Sequence, residues 1–499
     1  MRVLRCAAKL DFEIGQSRKM KKTIALLLII LLPTLLVARV NQTVTIRSIV
    51  FNHATIIDVS GAPSKSDMSV VITGNRIVKI GKTGRVPIPK AAEVIDASGK
   101  FLMPGLWDMH VHLQATTPFP LFIANGVLGV RHMGGNLKQV YQWREQVRQG
   151  KLLAPHIVSC GSVVDDKDEP EDIISALTAA EGREAVSINK KQGADFIKIY
   201  DGVSREAYFA LVEEAKKQGI TFTGHVPIAV NSFEASNAGQ KSIEHLGNIL
   251  RSSSTLEPNV IEQQVNEAVK PSDKPNDFTK FPARTAARTK IELETYDEQK
   301  ARRLFAVFVK NKTWQVPTLA TKRPLSLIDD GTFFNDERMK YITAKELENW
   351  KPENNFFLKY RTPEFIVMKK KLYQKELELV GEMHKSGVLF MTGTDIPGAY
   401  TYTGFSLHDE LALFVQTGFT PMEALQAATI NPSKFLGLEK SLGTIEQGKI
   451  ADLVLLDADP LKNIGNTKRI YAVVVNGRYL SKETLEKMLA DVEAAANKK

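Results

Sequence analysis

From residue 101 to about 437 the chain repeats one pattern: a short apolar run, then a longer segment with apolar residues at helical spacing. A helix placed between two strands carries the chain back along the sheet, so alternation of this kind builds parallel strands covered by helices. Eight candidate strands fall near 101–113, 126–132, 155–164, 194–200, 220–226, 241–245, 314–319 and 388–395. The segment 205–218 is the clearest helix between them, with Tyr208, Leu211, Val212 and Ala215 on one face. Eight such units predict an α/β fold, a (β/α)8 TIM barrel over 101–437. Two stretches, 251–303 and 322–380, are longer than barrel connections need. They follow the sixth and seventh strands, which places them over the C-terminal mouth, either as a substrate-shaping lid or as helical padding.

The two ends read differently. Residues 44–100 and 438–485 carry short β-like runs split by turns such as Gly74-Asn75, and predict one small β-sandwich domain built from both termini. Residues 1–38 are set apart as an N-terminal extension and signal peptide. Lys19, Lys21 and Lys22 precede an uncharged, almost wholly apolar run over 24–38, shorter than the ~20 residues a membrane span needs. Export to the periplasm or the medium follows, with no stable membrane partner once the leader is cleaved. An uncleaved anchor is the alternative, and Met20 competes with Met1 as the start.

The formal charge of +10 is concentrated at the start: residues 1–38 hold seven Lys/Arg against Asp11 and Glu13, leaving +5 over all the rest. Without a basic stripe interleaved with aromatics, nucleic acid is not an expected partner. Two cysteines, Cys6 and Cys160, exclude a disulfide framework and a multi-cysteine zinc site. Homo-oligomerisation is left open.

Four of the nine histidines fall at predicted strand C-terminal ends. His110 and His112 end the first strand behind Pro104-Gly-Leu-Trp-Asp108, and alternation along a strand aims both imidazoles to one side. His225 lies in Thr223-Gly-His-Val-Pro227, His245 in Ile243-Glu-His-Leu246, and Asp395 in Met391-Thr-Gly-Thr-Asp-Ile-Pro397. Neutral imidazole and carboxylate are ligands for divalent transition metals. One such residue is more simply a hydrogen-bonded structural group, but five on the rim where barrel active sites form are harder to explain that way. Lys198 lies in the apolar strand Asp195-Phe-Ile-Lys-Ile-Tyr200, where a charge is costly. Desolvation favours its neutral form, which takes up CO2 as a carbamate; a buried stem with its ammonium reaching water is the equal alternative.

These motifs, with Thr429-Ile-Asn-Pro432 and the tail Leu442-Gly-Thr-Ile-Glu-Gln-Gly-Lys-Ile-Ala-Asp452, resemble the amidohydrolase superfamily from about 46 to 480. The branch with imidazolonepropionase-like enzymes, barrel-type prolidases and ochratoxinase-like enzymes is the most similar. The resemblance implies two divalent metal ions, zinc above all. His110, His112 and Asp395 would bind one, His225 and His245 the other, with carboxylated Lys198 between them. Asp395 would also serve as catalytic base and acid. Two departures fall near the expected pocket: Arg131-His132 where Arg-Asp is frequent, and Tyr200-Asp-Gly202 where a Ser-Gly-Gly-like turn is frequent. Arg131, His132, Tyr200 and His408 are candidate substrate contacts, Arg131 as a bidentate partner for a substrate carboxylate.

The resulting expectation is hydrolysis of a C–N bond in a small-molecule amide, such as an N-acyl amino acid or a dipeptide. Hydrolysis of a cyclic amide or lactone is the second reading. A non-catalytic exported binding protein on the same fold is the third.

Overall fold

The computed structural model describes residues 48–166, 173–269, 278–355 and 357–498. The predicted leader and its extension lie outside the described residues. Strands β1 (Ser48–Ile56), β2 (Lys65–Thr73), β3 (Arg76–Lys82), β4 (Glu93–Asp96) and β5 (Phe101–Pro104) open the described chain. Nine short strands follow: β6 (Leu106–Val111), β7 (Val127–His132), β8 (His156–Ser159), β9 (Val163–Asp165), β10 (Ile173–Ser175), β11 (Ile197–Ile199), β12 (Phe222–Gly224), β13 (Ser242–Glu244) and β14 (Trp314–Val316). The chain closes with β15 (Leu453–Leu456), β16 (Ile470–Val475), β17 (Arg478–Leu480) and a helix over Lys482–Ala496.

Both termini meet in one sheet of order β17-β16-β15-β5-β1-β2-β3, with β4 paired to β1. The first predicted barrel strand, 101–113, is therefore two elements. Its residues Phe101–Pro104 run antiparallel to β15 and parallel to β1, and only Leu106–Val111 joins the parallel sheets. Gly105 makes the switch, because a Cβ there would lie 2.6 Å from Leu128. The third predicted strand, 155–164, also splits: β8 pairs with β7, whereas β9 pairs with β10 and β11, with Gly161 at φ 73° between them.

The parallel strands form two ladders, β6-β7-β8 and β10-β9-β11-β12-β13-β14. Asp195 N–H donates to Ser159 O at 2.9 Å between them. The eighth predicted strand, 388–395, forms no ladder of its own and instead bonds to both neighbours. Gln315 N–H donates to Leu389 O at 2.8 Å, Met109 N–H to Thr392 O at 2.9 Å, and Asp395 N–H to His110 O at 2.7 Å.

Successive βα units repeat one local grammar. Thr178, Ser204 and Asn231 cap the helices Ala179–Gln192, Arg205–Gln218 and Ser232–Ala238, and Gly193, Gly219 and Gly239 end them in the left-handed conformation. The second of these helices has the predicted bounds. The long stretches after β13 and β14 are helical, including Glu257–Val269, Phe281–Glu294, Leu319–Leu327 and Pro363–Lys385. No helix among the described residues is long and apolar enough to cross a membrane.

Packing inside the parallel strands leaves little slack. A Cβ on Gly129 of β7 would sit 2.2 Å from the Trp107 indole. Gly129→Ala is expected to cost about 1–3 kcal/mol of stability through overpacking, read as a lower midpoint in chemical denaturation.

Candidate metal centre

β6, the 388–396 segment, β12, β13 and β11 deliver His110, His112, Asp395, His225, His245 and Lys198. His110 Nε2 and His112 Nε2 lie 3.4 and 3.3 Å from Asp395 Oδ1. One ligand atom from each of these three residues falls within 4.8 Å of the others, the geometry of a shared cation. His245 joins from the far side: its ring centroid is 4.4 Å from that of His110 and 5.0 Å from that of His225, and its Nδ1 is 3.8 Å from Asp395 Oδ2. Lys198 is fully buried and its Nζ has no hydrogen-bond partner among the described residues.

The backbone pays for this convergence at three points. Asp395 and His245 are held at φ 57° and 58°, in the left-handed region unusual for side-chain-bearing residues. Gly224, just before His225, has φ +124°, and a Cβ there would meet Ile199 O at 2.2 Å, so only glycine lets β12 turn its histidine inward. Buried Asp108 braces the 388–396 segment. It accepts from Thr394 N–H at 3.0 Å and Thr394 Oγ1–H at 2.5 Å, with its carboxyl raised to about 7 by burial.

Three of the four imidazoles, those of His110, His225 and His245, are oriented through Nδ1. His110 Nδ1–H donates to Glu244 Oε2 at 2.9 Å, His245 Nδ1 shares a 2.8 Å hydrogen bond with Thr318 Oγ1, and His225 Nδ1 lies 3.1 Å from Asp201 Oδ1. Thr318 is positioned in turn by buried Glu410, which accepts from Leu319 N–H at 3.1 Å and Ala320 N–H at 2.7 Å. These bonds point Nε2 of His110 and His225 into the centre, where both atoms are buried without partners among the described residues. Such outer hydrogen bonds fix tautomer and aim in metal-ligating histidines.

The electrostatics suit a ligand set. Burial, then the charge of Lys198, holds His110 well below the usual histidine range, and burial does the same for His245, so both stay neutral. Burial also lowers the Lys198 ammonium. For Asp395 burial acts upward, but His245, His112 and Lys198 outweigh it and bring the carboxyl to about 2. Neutral imidazoles with unpartnered nitrogens, an ionised carboxylate and a desolvated lysine fit divalent metal.

Among the four candidate substrate contacts, Tyr200 alone sits beside the centre with an accessible ring, stacked 4.0 Å from His225 and 39% exposed. Arg131 is corrected. It is fully buried and bonds Glu244 through Nη2 at 2.8 and 2.9 Å, Ser242 at 3.0 Å and Met109 O at 2.6 Å, which leaves it no reach to a substrate. His132 is corrected too: its buried ring accepts from Leu113 N–H at 3.1 Å and fixes the loop after β6. His408 is buried on the helix Phe405–Gln416 and bonded to Thr467 at 2.9 Å, so it ties that helix to the chain near β16. Sequence reading missed Glu244, Asp201, Thr318 and Glu410. Glu244 carried a usable signal, a carboxylate inside an apolar strand, the same signal that singled out Lys198.

Residues 101–480 match the family described as "Amidohydrolase family". Adenine deaminase 3 of Rhizobium meliloti (strain 1021) is 26% identical over 204 residues, which is 36% of this chain and 32% of that protein. The match thus spans about a third of that curated relative's length. Among solved structures, a Xaa-Pro dipeptidase with bound methionine superposes with TM-score 0.62 at 21% identity, over 87% of this chain and 100% of its own. Bottromycin amidohydrolase superposes with TM-score 0.70 at 20% identity, over 90% of each chain. At these identities the likeness to solved structures is one of fold.

Replacing Glu244 by Gln should strip the charge partner from Arg131 and weaken the hold on His110. The expected result is a roughly 10–100-fold loss of metal affinity and a stability loss approaching about 3–5 kcal/mol, measured by chelator competition and thermal unfolding.

Proposed function

The chain belongs to the amidohydrolase family, hydrolases of carbon–nitrogen bonds, and we propose that it hydrolyses the amide of a small molecule such as an N-acyl amino acid or a dipeptide. The observation that carries this reading is the convergence of His110 Nε2 and His112 Nε2 on Asp395 Oδ1, with the unpartnered Lys198 among the same histidines. We read the hydrogen bonds that run from β14 through 388–396 to β6 as the closure of a (β/α)8 barrel. The mixed sheet of both termini is its sandwich-type companion domain, and the helices after β13 and β14 are a lid. The leader-like N-terminus makes this an exported enzyme, periplasmic or secreted.

His110, His112 and Asp395 would hold one divalent ion and His225 with His245 a second, with Lys198 as a carbamate between them; zinc suits this nitrogen and oxygen set. Bound there, the metal supplies Lewis acidity toward a carbonyl and toward water. The chain's residues do the rest. Asp395, kept ionised at the centre, takes the proton of the attacking water and returns it to the leaving nitrogen, as general base and then acid. The Tyr200 hydroxyl, on a ring stacked against His225, would donate to the substrate carbonyl oxygen as it gains charge. Glu244, Thr318 and Asp201 keep the imidazoles aimed through the cycle.

The test is turnover of N-acyl amino acids and Xaa-Pro dipeptides, with lactones as the contrasting panel. Chelator treatment should abolish activity and added zinc restore it; activity that survives removal of all bound metal overturns the reading. Asp395→Asn should lower kcat by about 10²–10⁴-fold in steady-state assays of protein that still contains metal.

A further inference from the structure

Buried polar atoms of the candidate centre that lack a hydrogen-bond partner among the described residues include His110 Nε2, His225 Nε2 and Lys198 Nζ, all assigned above to the ligand set. Thr223 Oγ1 is equally buried and equally unpartnered, and has no part in that set. β11 and β12 run parallel with Lys198 opposite Thr223, so the two side chains leave the sheet on the same side. The flanking Ile197, Ile199 and Phe222 belong to the core that packs against the helices, and the Phe222 ring lies 6.5 Å from that of Tyr208 on the helix Arg205–Gln218. Alternation turns Lys198 and Thr223 the other way, toward the side that holds the ligands. The lysine stem also leans toward β12, because a Cβ on Gly224, the residue after Thr223, would lie 2.9 Å from Lys198 Cδ.

Buried hydroxyls are normally satisfied, and the neighbours of this one narrow what could satisfy it. On the other side of β12, the pairing of Gly224 with Ile243 sets Thr223 beside Ser242. Ser242 is already committed: its Oγ–H donates to Glu244 Oε1 at 2.5 Å, and its Oγ accepts from Arg131 Nη1 at 3.0 Å. The remaining lateral neighbour is Lys198, and the two free side chains make no hydrogen bond to each other. An ammonium offers a hydroxyl proton nothing to bind. A carbamate on the same lysine carries two accepting oxygens, and gives the Thr223 hydroxyl the acceptor it lacks.

We propose that Thr223 is a positioning residue for carboxylated Lys198, its Oγ1–H donating to a carbamate oxygen and holding that group in place between the histidine pairs. The carbamate forms when the neutral lysine nitrogen attacks the carbon of CO2. The new N–C bond replaces one C=O π bond, whose electrons become the carboxylate charge, and the displaced N–H proton passes to water. The proposal rests on the bridging role given to Lys198 above. Carboxylation, and with it metal occupancy, then depends on a hydroxyl that is no metal ligand.

The test is carbon-13 NMR of the full chain incubated with zinc and increasing carbon-13 bicarbonate, which reads the lysine carbamate directly and without turnover. Thr223→Val keeps the shape and removes the hydroxyl. It should need about 10–100-fold more bicarbonate than wild type for a half-maximal carbamate signal, and should bind zinc correspondingly more weakly in chelator competition. Thr223→Ser restores a hydroxyl and should return both values toward wild type. In metal-free, bicarbonate-depleted protein, Thr223→Val should unfold at the wild-type temperature or above it, because there the hydroxyl it removes has no partner. A bicarbonate requirement unchanged in Thr223→Val overturns the proposal. So does a Thr223→Val protein that is as destabilised without metal and bicarbonate as with them, since the hydroxyl is then structural. Absence of any carbamate in wild type overturns both the proposal and the bridging role of Lys198, while zinc-dependent amide hydrolysis in that case leaves the amidohydrolase reading standing. A Thr223-dependent carbamate in a protein that hydrolyses no amide supports the proposal and sinks that reading.

Discussion

The ion pair between Arg131 and Glu244 is the interaction on which the metal centre depends. Both side chains are fully buried, and a lone charge at that depth would be prohibitively costly. The guanidinium meets the carboxylate with two bonds, and its remaining donors reach Ser242 and Met109 O. The carboxylate spends its last capacity on His110 Nδ1. β7, β13 and β6 are thereby locked through one set of side chains. The lock also decides chemistry. With Nδ1–H committed to an ionised carboxylate, the lone pair of His110 must lie on Nε2, which faces Asp395.

Much of this was legible in the sequence because it follows from local periodicity. His110-x-His112 converges since strand side chains alternate, and the caps and glycines of the βα units announce their helices. Lys198 was legible as a charge inside an apolar run. The misreadings have a common physical cause. Arg131 near a rim looks like a binding group until its partner is known, and Glu244 is 113 residues away in the chain. His132 and His408 carry the same ambiguity, resolved only by what each ring touches. The overlong strands at 101–113 and 155–164 arose because an apolar run does not say where the chain changes sheets. Gly105 and Gly161 marked those points through close approach and a positive φ, which composition alone does not distinguish from ordinary flexibility.

The two long helical stretches illustrate a different limit. Their length beyond what barrel connections need was visible, but which charged residues turn inward depends on how the helices pack. Glu376 is buried on one face of the helix Pro363–Lys385 and meets Lys322 at 2.6 Å, a partner that spacing along the chain does not announce. Screening that would make such charges nearly free at the surface is reduced there.

The candidate centre follows a logic that runs against stability. Lys198 Nζ and the Nε2 atoms of His110 and His225 are buried without protein partners among the described residues, and Asp395 and His245 hold left-handed backbones. Each such feature costs the polypeptide free energy that a better-satisfied core would not. A fold keeps such groups when something that binds only the native state repays the cost, and divalent metal at neutral imidazoles and a carboxylate does so by mass action. Arg131, the most conspicuous cation near the rim, is bonded through Nε, Nη1 and Nη2 and is structural, whereas the unpartnered Lys198 Nζ and the Nε2 atoms of His110 and His225 come from the strands that converge on the centre.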